Sequence, residues 1–164
     1  MIEFHLMSED DFPLTERFLS DPEMMRHLGG PQSHDQIVAA HQRYLDGIAA
    51  GTTWMFKILS GSVPIGGVGY WEKDWRGEPV YEAGWHIFPE HQGHGFATDA
   101  VAAIVTRVRR GGTRRYLHAF PAADNGASNA VCQKAGFINL GECQFEYPKG
   151  NLMTCNDWAL DLRA

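Results

Sequence analysis

The sequence predicts an α+β fold in which a mixed, mostly antiparallel sheet is flanked by helices. Three observations carry this reading. Two alternating stretches meet at a short polar turn, as the arms of an antiparallel hairpin do. One amphipathic helix stands between two strands as a crossover, and the remaining elements do not alternate regularly between strand and helix, which excludes a doubly wound sheet. The 164 residues fit one domain spanning 1–164, since a chain of about that size buries roughly 70% of its unfolded surface in one core.

Alternation over Glu3-Phe4-His5-Leu6-Met7 predicts a first strand, and Ser8 followed by Asp11 predicts a capped short helix. Ser33 and Gln36 form a second capping pattern; Ile37, His41, Tyr44, Leu45 and Ile48 then recur at helical spacing until Gly51. Thr53 to Leu59 and Val63 to Trp71 read as hairpin arms around Ser60-Gly61-Ser62, with Gly66, Gly67 and Gly69 weakening the second arm or marking a bulge. A polar loop is expected from Glu72 to Pro79, then a strand from Val80 to Phe88 closed by Pro89, which cannot donate to a ladder. Ala97, Ala100, Val101, Ile104, Val105 and Val108 form the apolar stripe of a helix that ends at Gly111-Gly112. A short strand at Tyr116 to Phe120, a short helix at Asn125 to Ala135, and strands near Phe137 to Tyr147 and Cys155 to Leu162 complete the order β-α-α-β-β-β-α-β-α-β-β.

Composition narrows the function classes. Hydrophobic residues make up 44% and charged residues 21%, the balance of a packed globular protein. The formal charge of -6 argues against nucleic acid as a partner, despite a local basic cluster of Arg107, Arg109, Arg110, Arg114 and Arg115. Cys132, Cys143 and Cys155 are odd in number and lack metal-type spacing, so reduced thiols in a cytoplasmic location are expected. The N-terminus has no apolar signal region and no run of about 18 apolar residues occurs, so no membrane association is expected.

The chemistry concentrates in Gln92-Gly93-His94-Gly95-Phe96-Ala97, between a strand and a helix. Glycines let backbone N–H groups turn toward an anion, and the helix start adds free donors and a positive dipole end. That arrangement suits a diphosphate at a helix N-terminus without charged side chains. A dinucleotide-binding oxidoreductase fits poorly. Thr98 replaces the third glycine of that fingerprint, and Arg115 stands where an acidic ribose partner belongs.

Gln92-x-x-Gly95-x-Ala97, preceded by Glu82-Ala-Gly-Trp and Pro89, resembles the acyl-CoA signature of the GCN5-related N-acetyltransferase (GNAT) superfamily. Asn125-x-x-Ser128-x-x-Val131-x-x-Lys134-x-Gly136-Phe137 is similar to a segment of the branch that includes the ribosomal-protein alanine N-acetyltransferases. The resemblance implies a GNAT-type sheet, twisted and splayed, and acetyl-CoA as co-substrate with no metal. It implies transfer by direct attack to a primary amine on a peptide N-terminus or small molecule, by a monomer or homodimer. It places the pantetheine arm beside the Val80 to Phe88 strand, at His86, Ile87 and Phe88, with a backbone N–H of Ile87 or Phe88, left free by the strand splay, on the thioester carbonyl. The diphosphate then falls on Gln92, Gly93, His94, Gly95, Phe96, Ala97 and Thr98, with Asn125 and Ser128 beside the arm.

The same resemblance implies Glu82 as general base through a water and Ser128 as the group near the departing sulfur. Period-2 alternation puts Glu82, Gly84, His86 and Phe88 on one strand face. Cys132 occupies the position where many superfamily members carry a tyrosine acid, which leaves Ser128, Tyr147 or solvent for that role. His91-x-x-His94 has ligand-like spacing but lies in the loop assigned to phosphate. The cluster Tyr70, Trp71, Trp75, Tyr81 and Trp85 reads as sheet core, with Trp71 and Trp75 placed to line an acceptor pocket. A non-catalytic acyl-CoA sensor or interaction module is the alternative the residues leave open.

Overall fold

The computed structural model describes residues 1–164. Its elements are β1 (Ile2–Leu6), α1 (Phe12–Ser20), α2 (His34–Ala50), β2 (Thr53–Ser60), β3 (Val63–Trp75), β4 (Glu78–Ile87), α3 (Phe96–Gly111), β5 (Tyr116–Ala119), α4 (Gly126–Lys134), β6 (Ile138–Glu146) and β7 (Leu152–Asp161). They build one seven-stranded sheet in the order β1-β2-β3-β4-β5-β7-β6. Every neighbouring pair is antiparallel except β4 and β5. The expected α+β class and element order are those observed.

Alternation along the strands separates two faces. On one, Phe56, Ile58, Val68, Tyr70, Tyr81, Ala83 and Ile87 meet the stripe Ala100, Val101, Ile104, Val105 and Val108 of α3, with Cys132 from α4, in the main core. On the other, α1 and α2 pack through a smaller cluster of Leu19, Met25, Ile37 and Ala40. A bond between Thr15 Oγ1 and His41 Nδ1 of 2.8 Å joins these two helices. Ser33 and Gln36 cap α2 reciprocally, and Gly51 stops it at φ 73°, as the capping pattern and the glycine predict.

The polar loop expected from Glu72 to Pro79 is instead a hairpin: β3 runs on to Trp75 and β4 starts at Glu78. Arg76 and Gly77 both take positive φ, 52° and 81°, the backbone of a tight two-residue turn whose twist matches paired strands. The charges at Glu72, Lys73 and Asp74 hide the alternation, because β3 carries them where the sheet is partly open to solvent. The glycines of β3 serve close approach. A Cβ on Gly67 would lie 2.6 Å from Cε1 of His86, so the imidazole lies over that position. The register shift falls opposite, between Ile58 and Leu59 of β2.

Candidate active site

β4 and β5 pair only at Tyr81–Leu117 and Glu82–His118. Beyond those two positions they separate, so Ala83 to Ile87 pair with β3 on one side and face a gap on the other. The carboxyl ends of both splayed strands lead to helix N-termini, α3 after β4 and α4 after β5. The gap therefore opens between two helix starts, where free donors and positive dipole ends gather.

Along the gap, the two N–H groups proposed from sequence are not equivalent. Phe88 N–H donates to Ile65 O at 2.8 Å, so the expectation that it is free is corrected: β3 extends far enough to take it. Antiparallel alternation turns the N–H of Ile87, one residue earlier, away from β3 and toward the gap. The carbonyl of Ile87 accepts from Gln92 Nε2 at 2.9 Å, which ties the glycine loop to the end of the strand.

In that loop Gly93 and Gly95 adopt φ 81° and 80°, and a Cβ on either would meet nothing within 4 Å. Positive φ, not crowding, is what requires glycine here. No backbone N–H from Gly93 to Thr98 has a protein acceptor. Gly95 caps α3 without a side-chain bond. Gln92 and His94 are exposed, Phe96, Ala97 and Thr98 half-buried. A run of unpartnered N–H donors at a helix start fits a diphosphate.

At the closed end of the gap sits Glu82. Its side chain is 13% exposed and lies 3.5 Å from Lys73 Nζ, itself 27% exposed. Burial pushes its carboxyl up to about 7 from the ordinary 4.5, against the pull of the Lys73 ammonium and, less, of the Trp71 side chain. Opposite Glu82 in register, His118 Nδ1 is hydrogen-bonded to Asp157 Oδ1 at 2.6 Å. Asp157 Oδ2 accepts from Trp75 Nε1 at 3.0 Å.

His86 shares this face, as alternation predicts, but its ring stacks on Phe18 of α1 at 3.7 Å between centroids and an interplanar angle of 10°. Burial lowers its pKa to about 3, so it stays neutral. Its side chain docks α1 onto the sheet. Arg17 reinforces that docking from the same helix, over the Phe88 ring at 3.9 Å and bonded to Glu90 Oε2 at 2.6 Å.

Asn125 caps α4, its side chain accepting from Ser128 N–H at 3.2 Å. Asn129, one position on, locks this helix start to β7 by accepting from Asn156 Nδ2 and Trp158 Nε1, each at 2.8 Å. Cys132 is fully buried in the main core and its thiol is pushed up to about 12 by burial, so it packs and does not titrate. Tyr147 packs on the α1–α2 cluster and its hydroxyl accepts from Gln32 Nε2 at 3.4 Å. No group of three or more His, Cys, Asp or Glu side chains stands together as a metal site. Between the segment after β5 and the start of β7, an open cleft of about 410 Å³ is lined by residues including Arg26, His27, Asp124 and Met153. Lys73 is the site residue that sequence reasoning missed. The only signal for it was the hairpin hidden in a stretch read as loop.

No curated protein matches the sequence. Solved structures match its fold along nearly the whole chain. The ribosomal L7/L12 alpha-N-protein acetyltransferase RimL in complex with coenzyme A is 21% identical with a TM-score of 0.80, over 98% of this chain and 93% of that one. The ribosomal-protein-S5-alanine acetyltransferase from Vibrio fischeri is 18% identical at 0.80, over 98% and 92%. The spermidine N-acetyltransferase from Vibrio cholerae in complex with CoA and spermine is 15% identical at 0.80, over 99% and 96%. At these identities the likeness establishes the fold. The model of the acetyltransferase (GNAT) domain matches residues 2–138, and with the splayed strands and donor-lined loop falling inside that span, the chain belongs to the GNAT family of acyl-CoA-dependent N-acetyltransferases.

Proposed function

We propose that this N-acetyltransferase binds acetyl-CoA on the backbone of Gly93 to Thr98 and along the gap, and that Glu82 takes the proton of the attacking amine. The observation that carries the reading is the uninterrupted set of unpartnered N–H groups from Gly93 to Thr98, beside a gap that ends on a largely buried carboxylate. Gln92, bonded to the end of β4, holds the loop in register with the gap. Asn125 and Ser128 bound it from the α4 side.

The chemistry is acyl transfer: the amine nitrogen bonds to the thioester carbonyl carbon, the C–S bond breaks, and CoA leaves as a thiol. Ile87 N–H, turned to the gap, donates to the carbonyl oxygen as charge develops on it. Glu82, through a water, accepts the amine proton. Its raised pKa sets it near neutrality, where a base is both ionised and able to hold a proton. Ser128 Oγ returns a proton to the sulfur. His86, neutral and committed to Phe18, takes no proton. The acceptor is a primary amine on a peptide N-terminus or a small molecule.

The test is thermal denaturation with and without acetyl-CoA for wild type, Gly95→Ala and Gly95→Glu. Acetyl-CoA is expected to raise the melting temperature of wild type. Gly95→Ala carries the backbone strain of about 1–2 kcal/mol for a side chain at positive φ but keeps part of the ligand shift. Gly95→Glu adds an anion against the cradle and loses the shift. A full shift in Gly95→Glu would refute the cradle. CoA release with N-terminal peptides, amino acids and polyamines separates an enzyme from a module that only binds.

A further inference from the structure

We propose that Lys73 selects the acceptor: its ammonium fills an aromatic box beside Glu82 and excludes amines that carry a second cation close to the reacting nitrogen. This rests on the reading of Glu82 as the acceptor end of the site.

Lys73 Nζ lies 4.8 Å from the Phe145 ring centroid, 5.8 Å from Trp75 and 5.9 Å from Phe120, and 3.5 Å from Glu82 Oε1. Aromatic faces together with a carboxylate are the set that recognises an organic ammonium ion. Here the protein supplies that ammonium itself. The box is held in shape. Phe120 stacks on Phe145 at 4.6 Å and Trp75 meets Phe120 at 4.7 Å. The Trp75 indole is fixed by Asp157, which is fixed in turn by His118.

Lys73 also changes the charge balance that an incoming amine meets. The buried carboxylates and the largely buried Glu82 each have a partner: Asp11 with Lys57, Glu82 with Lys73, and Asp157 with His118 and Trp75. In the open cleft lined by Arg26 and His27 the single acidic side chain, Asp124, lies against His27, and Arg26 adds a positive charge. A polyamine whose terminal nitrogen reaches Glu82 places its next ammonium a short methylene chain away, where the box is filled and a like charge already stands. A peptide N-terminus or other monoamine brings no such second charge.

The experiment compares wild type, Lys73→Met, which keeps the stem and removes the charge, and Lys73→Arg, which keeps the charge. Spermidine binding is measured by calorimetry on donor-free protein. CoA release is measured with spermidine and with an alanine-terminated peptide. Lys73→Met is expected to bind spermidine at least tenfold more tightly than wild type or Lys73→Arg. It is also expected to raise its spermidine-to-peptide ratio of kcat/KM at least tenfold. Equal spermidine affinity in wild type and Lys73→Met overturns the proposal. So does a wild type that turns over spermidine as well as the peptide, a result that needs no variant to fold. Tighter spermidine binding by Lys73→Met without CoA release from any amine supports the box and refutes instead the catalytic reading of Glu82.

Discussion

From Gly93 to Thr98 the protein presents backbone N–H groups on an exposed loop, with open space around both glycines. Around Glu82 it presents side chains from β3, β4, β5, β6 and β7, and each buried charge there already has a partner. The first region is continuous in sequence and indifferent to side-chain identity except where φ is positive. The second is assembled from residues distant in sequence, Lys73 and Asp157 lying 84 positions apart. Such a contrast lets one fold keep its donor while the acceptor varies, because side chains can change at the second region without disturbing the backbone of the first.

If the two regions are as separate as this, single substitutions will divide between them. The largest effect is expected from Glu82→Gln: kcat falls by roughly 10²–10⁴-fold while the Kd for acetyl-CoA, measured by calorimetry, stays unchanged. In wild type, kcat/KM is expected to rise with pH through about 7, as Glu82 ionises. Stability carries the opposite slope. With a folded pKa of about 7 against an ordinary 4.5, the native state holds this proton more tightly than the unfolded chain, so Glu82 lowers stability as pH rises through that window. Denaturant titrations at pH 5 and pH 8 should show Glu82→Gln losing that slope.

Next in size, Gly67→Ala is expected to cost about 1–3 kcal/mol of stability by overpacking, since its Cβ would press on the His86 ring. A denaturation midpoint no lower than wild type would show that His86 does not need that glycine. Ser128→Ala should lower kcat by about tenfold, or about 1.4 kcal/mol, with acetyl-CoA affinity retained in the same calorimetric assay. The smallest catalytic effect is expected from Cys132→Ala. Its kcat, measured by CoA release, should match wild type, because the thiol is sealed in the core. A clear loss there would join the two regions that the comparison separates.

The same contrast explains what the sequence discloses. The turn and helix start from Gln92 to Thr98 are legible because positive φ at Gly93 and Gly95 and the beginning of α3 are written in glycine spacing and apolar periodicity, both local features. The helical stripe from Ala97 to Val108 and the caps of α2 are legible for the same reason. The bond of Phe88 N–H to Ile65 O is not legible, because it depends on how far β3 reaches, a non-local matter of register. Lys73 was hidden twice, first by the charges that mask β3 and then because its partners Glu82, Phe120 and Phe145 come from three other segments. The aromatic cluster likewise divides only in three dimensions. Tyr70 and Tyr81 join the α3 core, while Trp75 turns to the opposite face.

Two rungs of pairing, Tyr81–Leu117 and Glu82–His118, are all that join β4 directly to β5. The backbone ladder between the two halves of the sheet is therefore short, and side chains such as Trp75 on Asp157 and Arg114 on Glu72 brace it together with the α3–α4 layer. A bound chain of amides lying in the gap would supply the rungs that β5 does not, in the manner of an added strand. Loading the donor then amounts to a late step of folding. Amides of Ala83 to Ile87 that face the gap would exchange with solvent in the free protein and become protected on loading. The acceptor would meet a stiffer molecule than the donor did, which favours an order of binding, donor first, without any moving lid.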